Sequence, residues 1–289
     1  MRNIITMAHL SDLHLVPDDG TTRSEPKLFG RLRGMNAHFR RLLADEPIRA
    51  SDLVLITGDV TDRGLLVEWE MFWRLAEEAS MVDRLVVLPG NHDVCCLGLR
   101  RQRPRAEDWA RARHGLAMGH QESTFPWIRR HGSSVALFGV DSANAGNLGG
   151  LDNAIGRIGV HQLAELGRSL LLYQDVPHKF IMLHHSPNIP APATSRRRGE
   201  KATPVWERQA LQLDPFDRRA LRLLARIFRV KSILHGHTHA HLDRHVGGVR
   251  IIGAAASTEP DGDGCLSYKH YTLYHSSGTL RAATRRCAL

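Results

Sequence analysis

The sequence predicts an α/β fold with layered sheets. Short apolar runs alternate with segments of helical period along most of the chain, and that alternation places helices against sheets. The hydrophobic fraction, 42% of 289 residues, is ordinary for a globular protein. No stretch reads as an internal repeat, a low-complexity segment or a linker, so residues 1–289 are expected to form a single domain.

The elements follow in order. Residues 4–9 form a first apolar run that stops at Ser11-Asp12. Segment 31–44 has helical spacing. Residues 53–57, LVLIT, are apolar throughout, as in a strand buried on both faces. In 66–79, Trp69, Phe72, Trp73 and Ala76 share one broad helical face and are read as core. A strand follows at 84–88, a helix at 105–118, a strand at 135–140, a helix at 160–172 and a strand at 180–184. The helix at 215–228 has Asp214 as its N-cap and Pro215 at its first position. Strands are expected at 232–235, 249–252, 270–274 and 279–283.

Composition narrows the function. The formal net charge is +9, which points to anionic partners. Much of it lies in two basic stretches, 99–114 and 195–201, within loop insertions near 95–131 and 187–213. No apolar run approaches the roughly 18 residues that span a bilayer. The N-terminal residues lack the small-residue cleavage site of a signal peptide, so a cytoplasmic location is expected. Cys95, Cys96, Cys265 and Cys287 fit neither a disulfide framework nor a metal knuckle and are read as free thiols.

The ends of the apolar runs carry the chemistry. Run 4–9 leads into Asp12 and His14, and run 53–57 into Asp59. Run 84–88 leads into Asn91, His92 and Asp93, run 180–183 into His184 and His185, and run 232–234 into His235, His237 and His239. Any one of these is also turn chemistry. Five strand ends delivering Asp, His or Asn are not, because the carboxyl ends of strands are where α/β sheets build sites. Carboxylate, imidazole and amide oxygen together suit Mn, Fe or Zn. One tetrahedral ion takes four ligands and at least seven are present, enough for two ions sharing a bridging carboxylate. In Asp12-x-His14 and His237-x-His239 the alternation lets both side chains of an extended segment face one centre.

The order D-x-H, G-D, G-N-H-D, H-H, G-H-x-H resembles the calcineurin-like metallophosphoesterase family. The motifs span residues 12 to 239. The resemblance implies a four-layer α/β/β/α sandwich with a dinuclear site at the carboxyl ends of the strands, holding two divalent or trivalent ions, Mn or Fe, with Zn admitted. By motif match, Asp12, His14 and His239 would hold the first metal, Asp59 would bridge, and Asn91, His184 and His237 would hold the second. Either His184 or His185 could fill its position. The family's H-H-P-P form, in which the first His ligates, points to His184.

The implied reaction is hydrolysis of a phosphoester by a hydroxide generated at the dinuclear centre. His92 would protonate the leaving group, and Asp93 would orient His92 or a backbone turn. His185, Arg196 and Arg197 are candidate substrate contacts. VDSANAG (140–146) and GRIGVHQLAELGRSL (156–170) resemble the bacterial class III cyclic-nucleotide phosphodiesterase branch, so the expected substrate is a nucleotide, cyclic nucleotide or nucleic-acid phosphodiester. Two rival readings are a nucleic-acid-binding protein using the basic loops and an inactive scaffold of the same fold. Sparse aromatics in the loops speak against the first. The full set of ligand types and His92 speaks against the second.

Overall fold

The computed structural model describes residues 4–24, 30–94, 106–143, 154–188 and 211–289. In chain order the strands are β1 (Ile4–Leu10), β2 (Leu53–Thr57), β3 (Leu85–Leu88), β4 (Trp127–His131), β5 (Val135–Gly139), β6 (His178–Met182), β7 (Ser232–His235), β8 (Leu242–Val246), β9 (Val249–Gly253), β10 (Cys265–Tyr274) and β11 (Thr279–Ala288). The helices are α1 (Met35–Leu43), α2 (Glu46–Arg49), α3 (Leu66–Glu78), α4 (Asn91–Val94), α5 (Ala106–Met118), α6 (Val160–Leu172) and α7 (Pro215–Ile227).

One sheet has the order β11-β10-β1-β2-β3 and the other β4-β5-β6-β7-β9-β8. In the first, β1, β2 and β3 are parallel. In the second, β5, β6, β7 and β9 are parallel. Alternate residues of each central strand face opposite ways. Met7, Leu53, Leu55 and Val86 meet Leu137, Phe180, Met182 and Leu234 between the sheets. Ala8, Leu10, Val54 and Ile56 face the other way and pack on Phe39 of α1 and Trp69 and Phe72 of α3. Phe138, Ile181 and Ile233 pack on Leu166 of α6 and Leu221 of α7. The result is the α/β/β/α sandwich, and burial on both faces explains why the central strands are unbroken apolar runs.

The five predicted helices all form, and Asp214 caps α7 as expected, its Oδ1 accepting from Phe216 N at 2.9 Å. The sequence reading missed β4 and β8, the two edge strands of the second sheet. WIRRH and LDRHV carry charges because an edge strand is half solvated. The described part of the 95–131 insertion is ordered as α5 and β4. Arg196 and Arg197, the rest of the 195–201 basic stretch, and Cys95 and Cys96 lie outside the described residues. Cys265 and Cys287 are free. Among the described residues no helix is long and apolar enough to cross a membrane.

Asp141, just beyond β5, is buried and lines a cavity of about 580 Å³. Burial pushes its carboxyl from an ordinary value near 3.8 up to about 7. The folded state therefore disfavours the carboxylate. That penalty is absent below pH 4, grows as pH rises to 7, and is constant above. Asp141→Asn keeps the oxygen that accepts from Ala143 N at 2.9 Å. We expect it to raise stability at pH 8 by on the order of 2 kcal/mol and to change little at pH 4. Urea midpoints at the two pH values check this, and equal shifts at both would contradict the assignment.

Candidate metal centre

Strand register brings the polar ends to one edge. Leu10 pairs with Ile56 and Thr57 with Leu88, so β1, β2 and β3 finish together. Met182 pairs with Leu234 in the second sheet. The loops beyond then bond to one another. Asp12 N donates to Gly58 O at 3.0 Å, His14 N to Asp59 O at 2.9 Å, and Gly236 N to His184 O at 3.0 Å. Hydrogen bonds cross between the sheets here, among them His237 N to Asp12 Oδ2 at 3.0 Å and His184 Nδ1 to Thr57 O at 2.7 Å.

Two donor groups result. In one, His184 Nε2 lies 3.0 Å from Asn91 Oδ1, 3.3 Å from Asp59 Oδ2 and 3.2 Å from His237 Nδ1. In the other, His239 Nε2 lies 3.4 Å from Asp12 Oδ1, with His14 alongside. Asp59 stands between them, its Oδ2 3.8 Å from His14 Nε2. The trios Asp12–His14–His239 and Asp59–His184–His237 each place their donor atoms within 4.8 Å of one another, as does His14–Asp59–His92. The structure brings His184 into the donor group. His185 instead turns its Nδ1 to Ser142 Oγ at 3.0 Å, with its ring 4.3 Å from that of His237.

The imidazoles fit a metal. A backbone carbonyl only accepts, so a ring nitrogen bonded to one must carry the proton. His184 Nδ1 is bonded to Thr57 O and His237 Nε2 to Ala154 O at 2.8 Å. In the neutral form of each ring the other nitrogen would therefore turn a lone pair into the donor group, as carbonyl-fixed metal ligands do. His14 Nδ1 is buried without a hydrogen-bond partner.

Charge in the cluster is balanced by protons. Burial opposes ionisation of Asp59, but His184 and His92 outweigh it and hold the carboxyl well below its usual range. Burial likewise opposes a charge on His184, yet Asp59 and Asp12 lift it to about 9. Glu259 and Asp12 overcome the burial of His239 and lift it to about 10. Burial, with His184 beside it, presses His237 down to about 3. Cations bound here would displace the protons of His184 and His239.

Backbone strain concentrates at the same positions. Asp12, His14, Asp59, His237 and His239 all have positive φ, between 47° and 65°. A left-handed backbone costs a non-glycine residue about 1–2 kcal/mol. Concentrated on donor residues, it marks a site whose geometry is imposed by its surroundings. The motif glycines admit the close approach. A Cβ on Gly90 would sit 2.8 Å from Asp59 Cγ and closer still to its Oδ1 and N. We expect Gly90→Ala to cost about 1–3 kcal/mol by overpacking and to weaken metal binding by displacing Asp59. Thermal melting and metal titration read the two effects, and a fully stable, metal-replete variant would refute the contact.

Asp93 clamps a turn. Its Oδ1 accepts from Thr61 N (2.8 Å) and Thr61 Oγ1 (2.6 Å), and its Oδ2 from Val60 N (3.1 Å) and Gly90 N (2.7 Å). It thereby ties the Asp59 loop to the Asn91 loop. Burial and the charge on Asp59 push its carboxyl up to about 6. His92 N donates to Asp59 Oδ1 at 2.9 Å, and His92 Nδ1 donates to Asp62 O at 2.9 Å, so Nε2 is the nitrogen left for proton exchange.

Three residues here had no signal in the sequence reading. Arg23 is buried and donates to His14 Nε2 at 2.9 Å. It also pairs with Glu259, whose Oε1 lies 3.2 Å from His239 Nδ1. Asp62 holds the Arg23 loop by accepting from Ser24 N at 2.8 Å. Arg23 follows no apolar run, Glu259 stands three residues beyond the apolar stretch 251–256, and the two meet only in the fold. Asp62 sits in GDVTDRG (58–64), three residues past Asp59.

A family model described as calcineurin-like phosphoesterase matches residues 5–241, a span holding all seven donors named above. The chain belongs to this family. Among solved structures, a dimetal phosphatase from Danio rerio is 12% identical, with 98% of this chain and 99% of that chain covered and a TM-score of 0.64. A Staphylococcus aureus protein provisionally assigned as a 5'-nucleotidase is 11% identical, with 99% of this chain and 55% of that chain covered and a TM-score of 0.53. GAP50 of Plasmodium, the anchor in its inner membrane complex, is 10% identical, with 100% and 90% covered and a TM-score of 0.53. Identities this low carry the fold alone. No curated protein matches the chain. Membership in the calcineurin-like phosphoesterases makes the two donor groups candidates for a metal pair that hydrolyses phosphoesters.

Proposed function

We propose that the protein is a dinuclear metal-dependent phosphodiesterase. The observation that carries this reading is the interlocking of the two donor groups through Asp59, with His92 at the same junction. Asp12, His14 and His239 would hold one ion and Asn91, His184 and His237 the other, with Asp59 between. Mn or Fe suits these oxygen and imidazole donors. Such a pair, when bound, polarises phosphoryl oxygens and lowers the pKa of water.

The chain's own residues supply the rest. Thr57 O and Ala154 O fix the tautomers of His184 and His237. Asp93 holds the Asp59 and Asn91 loops in register. Glu259 orients His239. His92 donates a proton from Nε2 to the departing alkoxide and regains one at Nε2 from water, while its Nδ1–H stays on Asp62 O throughout. His185, beside His237, contacts the substrate. Because both sheets contribute donors and share one core, residues 1–289 act as a single catalytic domain.

The likeness of 140–146 and 156–170 to the class III cyclic-nucleotide branch and the basic balance of the chain support a nucleotide, cyclic-nucleotide or nucleic-acid diester. The test is hydrolysis of bis-p-nitrophenyl phosphate and p-nitrophenyl phosphate by metal-stripped protein refilled with Mn²⁺. Mn²⁺-dependent cleavage favouring the diester is expected. A preference for the monoester would sink the diesterase reading, and no turnover with any metal would favour the inactive scaffold.

A further inference from the structure

Helix α7 shows two faces of different kinds. Leu221 and Ala225 point inward and are buried against the second sheet. The outward face carries Phe216, Leu223 and Ile227, which are 65%, 47% and 58% exposed. Their spacing puts all three on one side of the helix, with exposed Arg219 and Arg226 interleaved. The helix has one carboxylate, Asp217, and it is turned inward to accept from Ile158 N at 2.6 Å and Gly159 N at 3.0 Å. Single exposed apolar side chains need no explanation, but an aligned row among arginines does.

The neighbouring end extends the surface. β6 and β7 are adjacent and parallel, and α6 and α7 are the helices that lead into them. Both helices therefore finish at the same end of the sheet, opposite the metal centre. α6 ends there in Leu171 and Leu172, 55% and 78% exposed. Arg226, Arg229 and Lys231 line an open groove of about 730 Å³ at that end. The nearby acids are Asp175, which acts on Lys179, and Asp243, already paired with Arg250 at 2.8 Å.

We propose that the outward face of α7, with the end of α6 beside it, docks on an anionic lipid bilayer surface. The charge is complementary: Arg219 and Arg226 are exposed on an α7 face that carries no exposed carboxylate, with Asp175 an exposed acid beside the end of α6, in a chain of formal net charge +9. The apolar row decides between polyanions. A nucleic acid would engage the arginines and gain nothing from Leu223, Ile227, Leu171 and Leu172, and Phe216 is the sole aromatic on the α7 face where stacking would need several. A bilayer interface takes both components. Apolar side chains enter the boundary between headgroups and acyl chains while arginines reach the phosphates.

The test is co-sedimentation of the full chain with phosphatidylcholine vesicles with or without about 30% phosphatidylserine. Two double variants accompany it, Leu223→Ser with Ile227→Ser and Arg219→Glu with Arg226→Glu. All four positions are solvent-facing, and melting temperature together with soluble-ester hydrolysis should match wild type. Binding to the anionic vesicles is expected, weakened at least tenfold in each variant. Binding lost only in the arginine variant, with single-stranded RNA bound as tightly as vesicles, would assign the face to nucleic acid and overturn the proposal. Absence of vesicle binding by wild type would overturn it as well.

Discussion

Asp59→Asn is expected to lose bound metal and diester hydrolysis together, with kcat/KM falling by about 10³-fold or more. That corresponds to roughly 4 kcal/mol of transition-state stabilisation. Asp59 is buried and belongs to two donor trios, and its Oδ2 faces both His14 and His184. An amide of the same shape offers one neutral oxygen where the carboxylate offers two charged ones, so neither ion keeps a shared anion. It also removes the negative charge that lifts His184 to about 9. Metal analysis beside bis-p-nitrophenyl phosphate turnover checks both halves. A variant that kept two ions and wild-type activity would place the bridge elsewhere.

His92→Ala is expected to separate chemistry from metal binding. The metal content should stay at wild type, because the donors of both proposed ions remain. Turnover of an alkyl phosphodiester should fall by about 10²–10⁴-fold, the usual worth of a general acid. The nitrophenyl diester, whose leaving group departs without a proton, should lose much less. The motivating geometry is the 2.9 Å bond from His92 Nδ1 to Asp62 O, which reserves Nε2 for the substrate side. Equal losses on both substrates would mean that His92 positions or ligates rather than protonates. Loss of a metal ion would mean that the His14–Asp59–His92 trio is itself a binding site.

Much of the site was legible before the fold. Asp12, His14, Asp59, Asn91, His184, His237 and His239 each follow an apolar run, and a strand buried on both faces announces its own end. The helices were legible for the same reason, since Trp69, Phe72 and Trp73 must share a face to be buried. The edge strands β4 and β8 were not, because solvent on one side permits Arg129, Arg130, Asp243 and Arg244 where a central strand would need apolar residues. Arg23 was not, because it follows no apolar run, and Glu259, three residues beyond the apolar stretch 251–256, gave no sign that it would face His239. The preference for His184 over His185 rests on resemblance in the sequence, and in the fold it is His184 whose ring lies among the candidate donors.

Residue type and order thus single out the candidate donors, since a ligand must be chemically capable and these residues follow strands. They leave open which nitrogen of each ring faces the centre, which loops touch, and what Asp93 holds. Those depend on Thr57 O, Asp62 O, Ala154 O and the Gly90 approach to Asp59. A tautomer is set by the partner on the far side of the ring. That partner lies 30 to 127 residues away along the chain, so it comes within reach only in the fold: through neighbouring elements of one sheet for Asp62 O and Ala154 O, and through the packing of the two sheets for Thr57 O.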